Sequence, residues 1–509
     1  MDDIQSNSGR RILLGQLGAN GDCLLATTLA RQIKNDNPGC HLTWAVHESC
    51  AAMVEGNPEV DAIWEIPAEW GHHQREAWHR FEAEAKAARD RGEFDEIILS
   101  QIYPNNTRNF DGTVRPSILR AYGGPITVPV VPALRTKPSE LNRVQDFVME
   151  NQILITKNRI IFECSSKSGQ SYVTPEYALE AAYKIIERMP STTVILSSDV
   201  PIRSRDVRIL DGSVLSIRET ALLTHFSTLL IGCASGISCA AISEAAQHLP
   251  MVQLLSRDAS VFGSFATEFD YWDMPTDDIL EMTDVSIDRL VDCVEIIDQH
   301  GFDAARDIYN EKIPVHFKKY IEIITDTLIK RGKYLDAAHS ATLAIGRFGL
   351  TEDFEEFIRS KIAPNLPLPK NEEERRIIER LRELVFPTAI SQEVNNDDIS
   401  PDYIRDLIGK HETAEAARLL DKALTNDPGS AAHLYLSAAV RINLDDINGA
   451  RKILNSLTGH PEYWQKAWNL LGVAAYKKGD NEAAAEAIKR SMGAGFFPEK
   501  KRSANTKSA

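Results

Sequence analysis

Two α/β domains built on parallel sheets, followed by an all-α array of helical repeats, are what this sequence predicts. Three observations lead there. Between residues 10 and about 150, short apolar runs alternate with helical stretches. The same rhythm restarts at 157 and runs to about 300. Beyond 303 strand signals fade, and near the C-terminus Ala416, Ala450 and Ala484 recur 34 residues apart. Strands alternating with helices imply parallel β–α–β units. At roughly 100–200 residues per domain, 509 residues suggest about three domains.

In the first domain RRILLG reads as a strand, DCLLATTLARQIKND as a helix with apolar residues at helical spacing, and HLTWAVH as a strand. A charged helical stretch, His72 to Arg91, precedes the strand FDEIILSQ. In the second domain RIIFEC, TTVILSS, TLLIG and MVQLL read as strands. TPEYALEAAYKIIERM, SIRETALLTHF and ISCAAISEAAQH read as the helices between them. Two such units in succession predict two Rossmann-like domains, 1–155 and 156–302, facing a cleft. A helical connection with a linker at Pro364, Pro367 and Pro369 is expected over 303–396, where SQEVNNDDISPD is a further polar stretch.

Repeats are expected over 397–498. Leu420, Leu454 and Ile488 keep the 34-residue period, as do Ala423, Leu457 and Ser491. Leu434 and Trp468 keep it too, with Ala438 and Gly472, and Pro428 closes the first unit. A 34-residue period with small residues where helices cross is the tetratricopeptide signature. WNLLGVAAYKKGDNEAAAEAIKRSM resembles that repeat, with Tyr476 one place late. An unrelated array of helical hairpins is the alternative. KYLDAAHSATLAIGRFG reads as a degenerate earlier unit, and the basic tail 499–509 as disordered.

Composition narrows the function classes. Hydrophobic residues make up 43% and charged residues 26%, ordinary for a globular protein. The net charge of -16, from 57 basic and 73 acidic residues, disfavours generic binding to nucleic acid or anionic membrane. Seven cysteines with no CxxC pair read as reduced, buried thiols. MDDIQSNSGRR has no apolar core of the secretory kind, so a cytoplasmic location is expected, with a peripheral contact at the inner membrane face left open through the basic tail. Thr220 to Ser243 carries no charge, but His225, Gly232 and Gly236 interrupt it, so strand, turn and helix fit better than a membrane span.

Three turns can carry chemistry. In LLGQLGANGDCLLATTLARQIK, a strand runs into Gly15, Gly18 and Gly21, and Asp22 opens a helix. The GxxGxxG spacing is not a dinucleotide fingerprint. Asp22 reads as a helix-start acid or as a general base at the mouth of a cleft. In FECSSKSGQSYVTPEY, Ser165, Ser166, Lys167, Ser168, Gln170 and Ser171 follow a strand. They suit a phosphate, or form a polar loop before a helix capped by Thr174 and Pro175. In TLLIGCASGISCAAISEAA, Ser235, Gly236, Ile237 and Ser238 present amides at a helix start: a diphosphate cradle, or tight helix–sheet packing.

The stretches RRILLGQLGANGDCLLATTLARQIKNDNPGCHLTWAV and ESCAAMVEGNPEVDAIWEIP resemble the ADP-heptose:lipopolysaccharide heptosyltransferase family, glycosyltransferase family 9. The resemblance covers about 1–300 and is strongest in the first 65 residues. It implies the GT-B fold, with the donor in the cleft between two Rossmann-like domains, and inverting transfer without an essential metal. By that resemblance the catalytic aspartate falls on Asp22; Gly18 and Gly21 in the same loop are donor-binding candidates, because glycine lets the backbone come close to a ligand. The phosphate-contacting loop falls on Ser165 to Ser171, and the ribose-contacting acid near Asp199. The family's third-loop Asp-Ser/Thr-Gly triplet is here Ala234-Ser235-Gly236, with Cys239 near the family's His. Glu244 is a candidate for the missing carboxylate.

The expected function is therefore sugar transfer, heptose-like by resemblance, from a nucleotide-diphosphate sugar to a glycan or protein hydroxyl. No metal or other cofactor is expected, and no DxD triplet occurs. The repeat groove is expected to bind a protein partner or acceptor. A non-catalytic transferase-like scaffold is the alternative, and an epimerase would need a second acid/base group that the sequence does not offer.

Overall fold

The run RILLG forms β1 (Arg11–Gly15), which feeds α1 (Asn20–Asp36) and β2 (His41–His47). β3 (Ala62–Ile66), α2 (Gln74–Asp90) and β4 (Glu96–Leu99) follow. Their sheet has the order β3-β2-β1-β4, and every pairing is parallel, with Arg11 opposite His41 and Ile12 opposite Glu96. The computed structural model describes residues 9–70, 74–258, 263–313, 315–385, 399–409, 413–444 and 446–491.

α3 (Val114–Leu119) and α4 (Pro138–Glu150) lead to the second sheet. β5 (Asn158–Glu163), α5 (Pro175–Arg188), β6 (Thr192–Ser197), β7 (Ile209–Asp211), α6 (Ile217–Leu223), β8 (Leu229–Gly232), α7 (Gly236–Ala241), β9 (Met251–Leu255), α8 (Phe265–Tyr271) and β10 (Ile279–Thr283) follow; β5, α5, β6, α6, β8, α7 and β9 fall where the sequence predicts strands and helices, whereas β7, α8 and β10 are additions to that reading. The six strands run parallel in the order β10-β9-β8-β5-β6-β7. β6 and β8 are buried along their whole length, because helices cover both faces of a parallel sheet. The protein is thus mixed α/β with two parallel sheets. Thr174 accepts the Tyr177 N–H and Pro175 follows it, a capped start that fixes where α5 begins.

The two sheets share one core. Ile12, Leu14, Leu24 and Trp44 pack in the same apolar cluster as Ile161, Ile195 and Leu230. The chain from Thr220 to Ser243 is α6, β8 and α7, and no described helix is long and apolar enough to cross a membrane. All seven cysteines are buried, and none is in a disulfide.

α9 (Ile287–His300), α10 (Phe302–Tyr309), α11 (Lys318–Thr327), α12 (Tyr334–Phe348), α13 (Glu352–Phe357) and α14 (Glu372–Val385) complete the first compact unit, Met1–Val385. The linker expected at Pro364–Pro369 does not end this unit. The chain returns as α14, whose Leu381 and Val385 pack with Phe110, Tyr320 and Phe354. The supposed degenerate repeat is α12, and it belongs to that same cluster. Buried Asp111 ties it down, held by Arg120 at 2.7 Å and by Arg347 of α12 at 3.0 Å.

The second unit is Phe386–Ala509. Its described helices are α15 (Pro401–Gly409), α16 (Thr413–Asn426), α17 (Ala431–Asn443), α18 (Ile447–Leu457), α19 (Trp464–Lys477) and α20 (Asn481–Ser491). Ala416, Ala450 and Ala484 are buried at corresponding places in α16, α18 and α20. A Cβ on Gly472 would stand 3.1 Å from Ile488, so the small residue lets α19 and α20 approach closely. Most of SQEVNNDDISPD and the whole basic tail lie outside the described residues.

Candidate active site

β1 ends in a loop held from the neighbouring strand's exit. The Gln101 side-chain oxygen accepts the Leu17 and Gly18 N–H groups at 2.9 and 3.1 Å. α1 then begins, with Ala19 at the cap position and Asp22 in the first turn. Asp22 is partly buried. Burial, reinforced by the Glu268 carboxylate, pushes its pKa up to about 7, against the opposing hydrogen bond from the Ala19 backbone. A carboxyl titrating there can take a proton from a hydroxyl near neutral pH.

Glu268 comes from α8, in the other half of the unit. It accepts the Val114 and Arg115 N–H groups at the start of α3, both at 3.0 Å. Its second oxygen lies 3.7 Å from Nε of Arg115, which is 1% exposed. Sequence reasoning missed both residues, since nothing local marks them.

The first and third turns touch. A Cβ on Gly21 would lie 3.2 Å from Cys239 Sγ and 3.7 Å from Gly236 N; one on Gly236 would lie 3.4 Å from Asn20 Cβ. The contact is tight at Gly21, where a side chain would press on Cys239, and is ordinary van der Waals contact at Gly236. Gly18 is buried in the loop that precedes them.

The cradle expected at Ser235–Ser238 is filled from within. Glu163, at the end of β5 and 1% exposed, accepts the Cys233 N–H at 2.6 Å, the Ile237 N–H at 3.1 Å and the Ser238 N–H at 3.4 Å. The Ser238 hydroxyl donates at 2.6 Å, and the Ser235 hydroxyl donates as well. Glu163 was not among the site residues expected from the sequence. The signal was present: one acid directly after the apolar run Ile160–Phe162.

The second turn is ordered by its own side chains. Ser166 accepts the Ser171 N–H at 3.1 Å, and Ser171 accepts the Val173 N–H at 3.3 Å. Gln170 donates to the Ala234 carbonyl at 2.8 Å, joining this turn to the third. Ser165 is partly buried, and Ser168 is exposed. Lys167 and Asp199, both assigned to the donor by resemblance, pair with each other at 2.8 Å, with side chains 81% and 53% exposed. The lysine hydrogen bond holds Asp199 below the usual carboxylate range.

Glu244 does not join this group. It forms ion pairs with Arg31 and with Arg135, the latter at 2.6 Å. Arg31 is nine positions past Asp22 on α1, roughly 13 Å along the helix axis. Two guanidiniums fix Glu244 as a brace between segments, not as a replacement for the missing third-loop carboxylate. Among the described residues no group of three or more His, Cys, Asp or Glu side chains is arranged to hold a metal ion.

No protein-family model and no curated protein matches the chain. Among solved structures it is similar to a glycosyl transferase family 9 protein of Veillonella parvula, at 15% identity over 62% of this chain and 97% of that one, with a TM-score of 0.40. It is also similar to ADP-heptose LPS heptosyltransferase II of E. coli, at 14% identity over 57% of this chain and 98% of that one, with a TM-score of 0.38. A putative UDP-N-acetylglucosamine 2-epimerase of Listeria monocytogenes is similar at 12% identity over 62% of this chain and 96% of that one, with a TM-score of 0.35.

Proposed function

We propose that the chain is an inverting glycosyltransferase that moves a sugar from a nucleotide-diphosphate donor to a glycan or protein hydroxyl without a metal. One observation carries the reading. Asp22 follows Gly21, whose backbone closes against the third turn of the second sheet, at the start of the helix after β1, and its carboxyl is raised to about 7. Asp22 removes the proton of the acceptor hydroxyl as its oxygen attacks the anomeric carbon. The bond to the diphosphate breaks, and the pair leaves with the nucleoside diphosphate. General-base help of this kind is typically worth about 10²–10⁴-fold. The Ser165–Ser171 turn and Lys167 bind the leaving phosphates, with Asp199 near the ribose. The helices of 401–491 act as tetratricopeptide-like repeats that bind a protein partner or the acceptor.

A panel of nucleotide sugars, assayed for release of free nucleoside diphosphate, tests this directly. Release by the wild type and its loss in Asp22→Asn are expected. Turnover of Asp22→Asn close to wild type would remove Asp22 as the base. The second reading, a non-catalytic scaffold with repeats, is favoured by the carboxylate of Glu163 within the third turn. No thermal stabilisation by any nucleotide sugar would support it.

A further inference from the structure

We propose that Glu163 closes the third turn to the donor: it takes the seat among that turn's hydrogen-bond donors that a ligand phosphate would occupy, so a diphosphate is held by the 165–171 turn alone. This rests on the donor reading above and says which of its two turns does the binding.

The seat is full. A carboxylate offers about four lone-pair sites, and five donors converge on Glu163, from the amides of Cys233, Ile237 and Ser238 and the hydroxyls of Ser235 and Ser238. It has no slack. A Cβ at Gly232, just behind it, would stand 2.5 Å from the Ser238 hydroxyl and 2.6 Å from the Gln253 side chain. In front, Gly21 and Gly236 close the turn against α1. A phosphate entering here would meet a buried like charge and would strip that charge of its hydrogen bonds, both unfavourable.

The second turn is the opposite case. Lys167 is mostly solvent-exposed, and its pairing with exposed Asp199 is of the weak, water-screened kind. A phosphate can replace that carboxylate at little cost. Ser165 and Ser168 stand in the same turn.

The test uses the full chain and inorganic pyrophosphate, followed by calorimetry, so it does not depend on transfer activity. Wild type is expected to bind weakly, with the affinity lost in Lys167→Ala and unchanged within about twofold in Ser238→Ala. Glu163→Ala is expected to bind at least tenfold more tightly, and Glu163→Ala/Ser238→Ala to lose that gain. A folded Glu163→Ala protein with no gain overturns the proposal, as does a wild-type affinity that falls in Ser238→Ala. If Glu163→Ala does not fold, hydrogen exchange on the wild type decides. New protection at 233–238 with pyrophosphate overturns the proposal; protection confined to 165–171 supports it. Failure of the transferase reading shows instead as no turnover of any nucleotide sugar.

Discussion

Replacing Asp22 by Asn should stabilise the protein while abolishing transfer, and the stabilisation should depend on pH in a defined way. The folded-state pKa of Asp22 is about 7, against an ordinary value of 3.8. Folding therefore binds a proton between those limits. The carboxyl costs nothing below about pH 3.8, and its cost grows by about 1.4 kcal/mol per pH unit up to 7 and is constant above that. The full difference, about 3.2 units, corresponds to at most about 4 kcal/mol; solvent at the partly exposed side chain reduces it. Asn is isosteric and carries no charge. Calorimetric melts of Asp22→Asn and wild type should differ most at pH 8 and converge toward pH 4. In the same pH range, wild-type transfer should rise about tenfold per unit below pH 7 and level off above, as ionised Asp22 becomes the resident form. A stability difference that stays flat from pH 4 to pH 8 would mean that this carboxyl titrates like a solvated one, and the argument for a tuned base would fail.

Two more outcomes follow from burial. Asp111→Asn leaves Arg120 and Arg347 without their shared buried carboxylate, and should cost about 3–5 kcal/mol in chemical denaturation of the first unit. The two arginines hold the Asp111 pKa far below normal, so its contribution is present above about pH 3.8 and is lost only as pH falls through the lower folded value. A loss under about 1 kcal/mol would show that the cluster does not clamp α12. In the second unit, Leu454 and Ile488 lie 34 residues apart in sequence, but Leu454 is fully buried and Ile488 is 44% exposed. Leu454→Ala should lower hydrogen-exchange protection across 413–491 by about 2–5 kcal/mol, and Ile488→Ala by less than about 1 kcal/mol. Equal losses would contradict the packing described.

Much of the scaffold was legible from local pattern. RILLG, TTVILS and LLIG are apolar enough to be buried on both faces, which is what a parallel sheet demands. The 34-residue spacing of Ala416, Ala450 and Ala484 marked three buried places, each the fourth residue of its helix. The Pro364–Pro369 segment lies inside the connection expected over 303–396, and the break between the two units, after Val385, falls further along it. Proline marks a break in a helix, but whether the chain then leaves the domain depends on where the following amphipathic face is buried, and α14 buries Leu381 and Val385 back in the first unit.

What local pattern determined, then, were strands, helices and the exposed turns between them, together with an aspartate at one helix start. Tertiary structure decided how those turns are used. Glu163 reaches Ser238 across 75 positions of sequence, and Arg31 reaches Glu244 across 213. Charges buried beside donors settle on whichever partner the fold brings close, because an unsatisfied one is so costly. That choice depends on distances in space, which the order of residues along the chain does not display.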